Sequence, residues 1–471
     1  MGPTLRDVLR DRRGDDWLIG PSSEDFWQRL EHLTPVFAAY RASCSGASVL
    51  IAENDQLQFL ATCLAAWATD CIVVLANPRW GRQERQQVTD MVNLDWDVPL
   101  APGLETYPCH VLGGEPGQIL IPTGGSSGQI KFAVHTWETL MTSVEGFCAH
   151  FGVETVHAYC VLPLFHVSGL MQVLRVLASG GCLALQPYST LKVGERLALP
   201  SGGFLSLVPT QLQDLLALEG NIPWLQSFRA VLLGGAPAGR SLLDQAQAAQ
   251  IPVALTYGMT ETAAQVATLL PEDFLAGHRS SGRPLPHASI TILSDQGQPQ
   301  PPGQPGQVVI WASSLAQGYL GSSREIVVGS AHPTGLFATD DIGYLDDGGY
   351  LHIVGRSSTK IITGGENVFP EDVEAALLNI DGVGDVCVVG LPCDRWGQQL
   401  CALVVMVSPA RLQDVPGLLS PLVATYKRPK QWILVSALPR TLQGKLSRPQ
   451  AFALAQQILG WNGAATLTSR P

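Results

Sequence analysis

The chain has 471 residues, with 29 Lys and Arg against 40 Asp and Glu, so its formal net charge is −11. Hydrophobic residues make up 46% and charged residues 15%, which suits large buried cores and excludes an intrinsically disordered protein. The acidic balance argues against nucleic acid and anionic membrane surfaces as partners. At ~100–200 residues per domain, the length predicts about two to four cores.

The sequence carries no targeting or membrane-spanning signal. Its N-terminal segment has basic residues but no apolar stretch, so we expect no signal peptide. The most apolar stretch, Phe59 to Ala68, is about half the length needed to cross a bilayer, so we expect no membrane insertion. The ten cysteines are far apart and lack Cys-x-x-Cys spacing, which is typical of buried thiols in a reducing compartment. These features predict a cytoplasmic protein.

Short β-branched stretches alternate with helix-like segments over most of the N-terminal part of the chain. The predicted strands are Cys71–Ala76, His157–Leu164, Gly203–Val208, Ala230–Leu233 and Val253–Tyr257. Because several of these stretches end in Gly, Pro or hydroxyl residues and lead into helices, they predict a parallel α/β sheet. Ligands of such sheets bind at the carboxyl ends of the strands.

The pattern changes twice further along the chain. After a Gln/Pro/Gly-rich stretch at 297–307, strands are predicted at 308–312 and over 343–354, where Asp346-Asp-Gly-Gly marks a hairpin. Beyond Arg356 the sequence predicts a compact α+β domain, which begins with a helix at Pro370. Its further elements are strands Asp385–Leu391, Leu400–Val407 and Gln431–Ser436, an intervening helix and a final helix from about Pro449. We predict domains at 1–356 and 357–471.

The segment Pro122-Thr-Gly-Gly-Ser-Ser-Gly-Gln-Ile-Lys131 combines three glycines, three hydroxyls and one lysine. Glycines let backbone N–H groups converge on an anion, and Lys131 adds a charge that can meet phosphate oxygens. The segment is not a Walker loop, because no Gly-Lys-Ser/Thr closes it. Composition alone favours a flexible linker, but the β-like stretches on both sides, 118–121 and 132–135, argue against one.

Further motifs follow this loop in a fixed order. They are Tyr257-Gly-Met-Thr-Glu-Thr262, Thr339-Asp-Asp-Ile-Gly343, Gly355-Arg356, Thr363-Gly-Gly-Glu-Asn-Val-Phe-Pro370 and Pro439-Arg-Thr-Leu-Gln-Gly-Lys445. Over nearly the whole chain, this set resembles the adenylate-forming acyl-CoA synthetases, also called AMP-dependent synthetases and ligases. The resemblance implies a large N-terminal domain of stacked α/β sheets with a small barrel-like subdomain. It also implies a small mobile α+β C-terminal domain that carries Lys445, with a hinge at Ser358.

The resemblance implies a site for ATP, with Mg²⁺ as cofactor and coenzyme A as co-substrate. The residues that it implies for ATP and AMP are Thr123, Gly124, Gly125, Ser126, Ser127, Gly128, Lys131, Gly234, Gly235, Ala236, Pro237, Tyr257, Gly258, Met259, Thr260, Asp341, Arg356 and Lys445. Glu261 is implied as the Mg²⁺ ligand, and Gly364 and Gly365 are implied for CoA. Lys445, His166 and Thr260 are implied as catalytic residues.

Each implied residue also has a structural alternative. Tyr257 alone would be read as a half-buried core aromatic residue, Asp341 as a turn residue and Lys445 as a solvated charge. The match of the motifs in order and type favours the functional interpretation. Three positions depart from the family pattern, because Ile130 replaces Pro, Asp340 replaces Gly, and Ser358 replaces Asp or Lys.

The stretch from Leu162 to Arg175 indicates the acyl substrate. We predict a helix from Gly169 to Ala178, capped by Ser168, with Arg175 two turns along the same face. His166, Ser168 and Arg175 are predicted to contact the acyl group. A guanidinium on an apolar wall is costly unless paired, so Arg175 is predicted to meet a second carboxylate. The alternative is a surface Arg.

Within the family, this stretch and Phe132-Ala-Val-His-Thr-Trp137 resemble the branch that acts on 2-succinylbenzoate in phylloquinone and menaquinone biosynthesis. The resemblance implies that ATP activates the acid as an acyl-adenylate and that CoA then displaces AMP. The alternatives are an aryl- or fatty-acid–CoA ligase, an adenylating enzyme that loads a free carrier protein, and a non-catalytic nucleotide-binding protein. A homodimer is left open by the sequence.

Overall fold

The chain divides into two compact units. The computed structural model describes residues 2–124, 130–321, 325–327, 336–363, 366–393, 396–407, 412–440 and 446–460. Unit 1 comprises residues 1–235, 245–339 and 344–352, and unit 2 comprises residues 236–244, 340–343 and 353–471. The predicted boundary at 356/357 and the hinge at Ser358 stay predictions.

Strands and short helices alternate along most of the described chain. The strands are β1 (Leu18–Ile19), β2 (Ser48–Ile51), β3 (Ile72–Leu75), β4 (Thr106–Cys109), β5 (Ile119–Gly124), β6 (Ile130–His135), β7 (Ala158–Cys160), β8 (Leu183–Leu185), β9 (Phe204–Leu207), β10 (Ala230–Leu233), β11 (Val253–Met259), β12 (Ala264–Thr268), β13 (Arg283–Pro284), β14 (Ala288–Leu293), β15 (Gly306–Ala312), β16 (Gly318–Leu320), β17 (Ile326–Val327), β18 (Leu336–Leu345), β19 (Leu351–Arg356), β20 (Ile361–Thr363), β21 (Glu366–Val368), β22 (Val383–Cys393), β23 (Gly397–Met406) and β24 (Gln431–Leu434). The helices are α1 (Leu5–Asp11), α2 (Ser23–Ser43), α3 (Gln56–Ala68), α4 (Arg82–Val92), α5 (Trp137–Phe151), α6 (Val167–Ser179), α7 (Tyr188–Lys192), α8 (Pro209–Leu216), α9 (Ile222–Gln226), α10 (Arg240–Ala248), α11 (Pro271–Leu275), α12 (Pro370–Leu378), α13 (Val415–Leu419) and α14 (Arg448–Leu459).

The first sheet of unit 1 has the strand order β1-β8-β7-β9-β10-β11-β12-β13. Its pairs are parallel from β1 to β11 and antiparallel from β11 to β13. The predicted strands at 157–164, 203–208, 230–233 and 253–257 overlap β7, β9, β10 and β11 in turn. The predicted parallel α/β sheet is therefore confirmed. β7 ends earlier than predicted, shortly before Pro163, whose missing N–H cannot serve a strand ladder.

The second sheet of unit 1 is mixed, with the strand order β17-β16-β6-β5-β3-β2-β4. The predicted strand at 71–76 is β3, which is buried at every residue. β5 and β6 are antiparallel, and their register pairs Thr123 with Lys131 and Gly124 with Ile130. The strands on either side of the Gly-rich loop are thus paired neighbours in one sheet, which argues against a free linker, as the sequence predicted.

The predicted hairpin near Asp346 is confirmed. β18 and β19 belong to a sheet of order β14-β15-β18-β19, and Asp346 lies in the turn between them. Its Oδ1 accepts from the backbone N–H groups of Gly348 at 2.9 Å and Tyr350 at 3.0 Å. Gly349 has φ +75°, a left-handed conformation that favours glycine. These bonds fix the turn that the Asp-Asp-Gly-Gly sequence predicted.

Unit 2 is built on a sheet of order β21-β20-β23-β22, with β24 parallel to β23. Helix α12 begins at Pro370, the first helical position that the sequence predicted for it. The predicted strands overlap β22, β23 and β24, and the predicted final helix is α14. The α+β character of this part of the chain is confirmed.

The most apolar stretch of the sequence lies in α3, where residues 59–67 are all buried. Together with residues of β2 and β3, it forms part of one hydrophobic cluster of unit 1. Its apolar character therefore serves the core. Among the described residues, no helix combines the length and apolarity required of a membrane span.

A charged network ties α14 to α12 and β22 inside unit 2. Arg448 donates to Glu374 Oε1 at 2.6 Å and Oε2 at 2.7 Å, to Glu371 Oε1 at 2.9 Å and to the Val388 carbonyl at 3.0 Å. Burial raises the pKa of Glu374, and the guanidinium of Arg448 opposes this effect. Removing Arg448 would therefore leave a buried carboxylate without its counter-charge.

We predict that Arg448→Ala lowers the free energy of unfolding of unit 2 by ~3–5 kcal/mol, because it leaves the buried carboxylate of Glu374 without a counter-charge. Urea titration with hydrogen exchange at the amides of β22 and β23 measures this loss. Lys427→Ala is the matched control, since its pair with Asp372 is more exposed and worth ~0–1 kcal/mol. Equal losses in both variants would show that the Arg448 network adds no special stability.

Candidate functional site

A 3₁₀ turn, Thr260–Thr262, follows β11 and is held from several sides. His135 Nε2 lies 2.8 Å from the Thr260 carbonyl oxygen. The Ala316 backbone N–H donates to the Glu261 carbonyl at 2.8 Å, and Ser314 Oγ donates to the Thr262 carbonyl at 2.9 Å. Burial lowers the pKa of His135 to about 4, so it is neutral near pH 7 and can donate from Nε2. The predicted residues Thr260 and Glu261 therefore lie on a fixed backbone.

The backbone after this turn is strained. Ala263 has φ +53° and Ala264 has φ +77°, a region that residues with a side chain rarely adopt. Ser143 Oγ donates to the Ala263 carbonyl at 2.6 Å and helps to hold this conformation. A Cβ at Gly258 would lie 2.0 Å from the Ala264 carbonyl oxygen, so the strand tolerates only glycine there. Strain that is held in this way is concentrated at functional sites.

The Glu261 carboxylate gathers residues that the sequence implied for phosphate and metal. Its Oε1 accepts from Tyr319 OH at 2.9 Å and from Thr123 Oγ1 at 3.4 Å. Lys131 Nζ lies 5.9 Å from the centre of the Tyr319 ring. Burial and the Glu261 charge raise the pKa of Tyr319, which keeps it a donor. The sequence did not predict Tyr319, because its short segment on β16 carries no motif.

Glu261 suits a hard cation such as Mg²⁺, which binds oxygen ligands. Among the described residues, no group of three or more His, Cys, Asp or Glu side chains is placed to hold a metal. Nucleotide sites usually hold Mg²⁺ by one or two carboxylates and by substrate phosphates. In that arrangement the ion would neutralise charge on the phosphates.

Gly234 and Gly235 follow the carboxyl end of β10, where ligands of a parallel sheet bind. A Cβ at Gly234 would lie 2.3 Å from Thr256 Oγ1, and Gly235 has φ +78°. Tyr257, on the neighbouring strand β11, is half-buried and packs against a core cluster of unit 1. The structure thus agrees with the structural alternative for Tyr257 and leaves its predicted role at adenine untested.

Two residues implied for the ribose are paired within unit 2. Arg356 Nε donates to Asp341 Oδ1 at 3.1 Å, and Asp341 is 6% exposed. Asp341 lies in β18, so the alternative that it is a turn residue is wrong. Ala236 and Pro237 also fall in unit 2.

The departures from the family pattern form contacts of their own. The Ile130 backbone N–H, which the proline usual at this position would lack, donates to Gln87 Oε1 at 3.1 Å. The Ser358 backbone N–H donates to Asp340 Oδ1 at 3.1 Å, and Ser358 Oγ donates to Asp340 Oδ2. Asp340 and Ser358, which both depart from the family pattern, are therefore partners.

Helix α6 begins at Val167, two residues earlier than predicted. Its N-cap is His166, whose carbonyl accepts from the Leu170 N–H at 2.9 Å, and Ser168 lies inside the first turn. The prediction of Ser168 as the N-cap is therefore wrong. The chain turns early because Gly169 fits against the Pro163 carbonyl, from which a Cβ would lie only 2.2 Å away. Ser168 instead offers its carbonyl oxygen to Gln172 Nε2 at 2.8 Å.

Arg175, on α6, is 3% exposed, so the alternative that it is a surface residue is wrong. Its Nη2 donates to Gln265 Oε1 at 2.8 Å, and its guanidinium lies 4.1 Å from the centre of the Phe147 ring. Among the described residues, no carboxylate forms an ion pair with it. Burial lowers the pKa of Arg175 to about 10, which leaves it charged at neutral pH. The site thus holds a buried positive charge without a counter-charge.

The sequence did not predict two residues beside Arg175, namely Gln265 on β12 and His287 between β13 and β14. Neither belongs to a motif, and only the fold brings them to α6. Other predicted residues lie outside the described part of the chain and stay predictions. These are Gly125, Ser126, Ser127, Gly128, Gly364, Gly365 and Lys445.

Comparisons with known proteins place this geometry in context. Residues 116–320 match the family described as AMP-binding enzyme, and residues 372–445 match the AMP-binding enzyme C-terminal domain. A 2-succinylbenzoate–CoA ligase of Geobacillus sp. is 36% identical over 332 residues, which cover 70% of this chain and 67% of that protein. The enzyme of the same name from Enterococcus faecalis is 35% identical over 328 residues, which cover 69% and 67%.

A solved structure is also similar over nearly the whole chain. It is the o-succinylbenzoate CoA synthetase from Bacillus subtilis in complex with the acyl-adenylate intermediate OSB-AMP. The match covers 96% of this chain and 98% of that one, with a TM-score of 0.81 and 25% identity. The family resemblance that the sequence motifs indicated is confirmed.

We predict that Arg175→Met raises the free energy of unfolding by ~1–3 kcal/mol, because an apolar side chain replaces a buried charge without a counter-charge. Chemical denaturation without ligands measures the change. Arg12→Met is the matched control, since Arg12 is also buried but donates to Asp15 and to the carbonyls of Val176 and Gly181. Arg12→Met should destabilise the protein. Destabilisation by both variants would indicate that Arg175 has a structural role.

Proposed function

The chain belongs to the AMP-binding enzyme family, and we propose that it is an AMP-forming acid–thiol ligase that converts 2-succinylbenzoate to 2-succinylbenzoyl-CoA. In the first step the succinyl carboxylate attacks the α-phosphorus of ATP, which yields an acyl-adenylate and releases pyrophosphate. In the second step the thiol of coenzyme A attacks the acyl carbon, and AMP leaves. The enzyme therefore uses ATP, Mg²⁺ and coenzyme A.

The observation that carries the choice of substrate is the buried charge of Arg175. 2-Succinylbenzoate has two carboxylates, and only one is consumed in the adenylate. The other stays charged and would pair with the guanidinium, which suits bidentate contacts with carboxylates. A monocarboxylic acid would leave Arg175 without a counter-charge after activation. The relatives named 2-succinylbenzoate–CoA ligase support the same substrate.

The residues around Glu261 would serve the first step. Tyr319 and Thr123 orient one carboxylate oxygen, and the turn that His135 helps to hold fixes the backbone. Glu261 would then hold Mg²⁺ against the phosphates, while Lys131 and the loop at 123–128 would bind the β- and γ-phosphates. Such preorganised donors act on charge that develops in the transition state.

Other roles complete the proposal. Thr260 would contact the α-phosphate, and Gly234 to Pro237 and Tyr257 would contact adenine. Asp341, positioned by Arg356, would accept from the ribose hydroxyls. His166 and Ser168 would lie beside the acyl group, and Gly364 and Gly365 would contact CoA. Rotation about Ser358 would exchange Lys445 for the CoA-binding loop between the two steps.

The finer assignments rest on the sequence and belong to the same proposal. They are the phylloquinone branch of quinone biosynthesis and a cytoplasmic location. A homodimer is compatible with the proposal, and the sequence leaves it open. The structure contains ten free cysteines, which is consistent with a reducing compartment.

The deciding experiment is mass-spectrometric detection of CoA thioesters formed with ATP, Mg²⁺ and a panel of acids. The panel contains 2-succinylbenzoate, benzoate, 4-phenylbutyrate, and medium- and long-chain fatty acids. We expect strong preference for 2-succinylbenzoate. Turnover of a monocarboxylic acid instead would agree with the proposed two-step reaction but would contradict 2-succinylbenzoate as the substrate.

We predict that Lys445→Ala slows adenylate formation by ~10²–10³-fold, the usual effect of removing one preorganised donor. Thioester formation from preformed acyl-adenylate should change far less, because Lys445 is proposed to act only in the first step. Pyrophosphate exchange and single-turnover thiolysis measure the two steps separately. Lys192→Ala, which removes an exposed lysine paired with Asp214, is the control. Equal losses in both half-reactions would refute the role of Lys445.

A further inference from the structure

Unpaired buried polar atoms are concentrated around Arg175. Eleven buried side-chain nitrogen or oxygen atoms lack a hydrogen-bond partner in the described part of the chain, and five belong to four neighbouring residues. These atoms are Arg175 Nε, Gln265 Nε2, Gln172 Oε1 and both ring nitrogens of His287. We call these four residues the Arg175 cluster. Because unpaired buried polar atoms are rare in native proteins, this concentration requires an explanation.

His287 belongs to the cluster through packing and charge. The chain reaches it from β13, where the Leu285 N–H donates to the Val266 carbonyl of β12 at 2.8 Å. Its ring lies against Gly146 of α5, since a Cβ there would be 1.8 Å from His287 Nδ1. Burial and the nearby charge of Arg175 lower the pKa of His287 to about 4. At neutral pH the ring therefore offers one N–H donor and one acceptor.

Gln265 faces Arg175 with its amide oxygen and keeps its amide nitrogen unpaired. Arg175 Nε and Gln265 Nε2 thus each carry an N–H that has no acceptor among the described residues. The neutral ring of His287 carries one more such N–H. A carboxylate has two oxygens and about four acceptor sites, so it can satisfy all three donors together. A neutral ligand group would leave the guanidinium without a counter-charge.

We propose that Gln265 and His287 are specificity-determining residues that, together with Arg175, bind the carboxylate of the substrate that is not activated. This inference rests on the proposed function. Gln265 orients the guanidinium through its amide oxygen and donates to the ligand from its nitrogen. His287 donates its ring N–H, and Gly146 leaves the space that the ring requires.

The test compares two acids that differ only in that carboxylate, 2-succinylbenzoate and 4-oxo-4-phenylbutanoate. For each variant, kcat and KM of CoA-thioester formation are measured with both acids. We expect His287→Leu and Gln265→Leu to lower kcat/KM for 2-succinylbenzoate by about 10- to 100-fold, mainly through KM, as for loss of a hydrogen bond to a charged group. The same variants should change kcat/KM for 4-oxo-4-phenylbutanoate by less than about threefold.

Two further variants sharpen the test. Gln265→Glu places a carboxylate against Arg175, so it should abolish the preference for the dicarboxylate while turnover of the monocarboxylate continues. His287→Gln keeps an N–H donor and should recover part of the loss seen in His287→Leu. His150→Leu is the matched control, because burial also lowers the pKa of His150 but Arg175 does not contribute to that shift. It should leave the ratio between the two acids unchanged.

The outcomes separate this inference from the proposed function. The inference is wrong, and the two residues are structural, if the unaltered enzyme converts 2-succinylbenzoate but His287→Leu and Gln265→Leu lower kcat/KM equally for both acids. A variant that folds poorly also lowers kcat/KM for both acids together. In that case the ratio of kcat/KM for the two acids in Gln265→Glu decides. If the unaltered enzyme forms no thioester from 2-succinylbenzoate, the proposed function fails, and the inference fails with it.

Discussion

The positive charge of Arg175 inside unit 1 is the constraint on which the substrate assignment depends. A guanidinium that is buried away from water needs hydrogen bonds and an opposite charge. Where it has only some of these, the protein is less stable than with an apolar side chain at that position. Arg175 has one amide oxygen and the face of Phe147. A core selected for stability alone would not retain such a group. Its retention, with unpaired donors beside it, favours an anionic ligand.

The proposed phosphate and acyl regions of unit 1 are linked by a short segment of chain. Glu261 and Gln265 lie four residues apart, and Ala263 and Ala264 between them hold strained left-handed conformations. The turn carrying Glu261 is fixed by backbone bonds, and β12 then carries Gln265 toward Arg175. Because the intervening backbone is held so firmly, the separation between the two groups is set by the fold. The fold therefore sets how far the proposed phosphate site lies from the proposed carboxylate site.

The sequence predicted most elements but not the contacts among them. The strand at 230–233 and the helix at Pro370 follow from local propensity, and motif order indicated Thr123 and Glu261 together. Tyr319, Gln265 and His287 escaped prediction because only tertiary packing brings them to the site. Ser168 was misassigned because capping preference is local, whereas the start of α6 depends on the fit of Gly169 against Pro163.

The residues that depart from the family pattern each form a hydrogen bond of their own in this chain. Ile130 replaces proline, and the N–H that it restores has a partner in Gln87. Asp340 replaces glycine and accepts two hydrogen bonds from Ser358. Of the two residues usual at position 358, Asp would place two carboxylates together, and like charges in contact repel. Because Ser358 avoids this repulsion and donates twice to Asp340, the substitutions at 340 and 358 have to be considered as a pair.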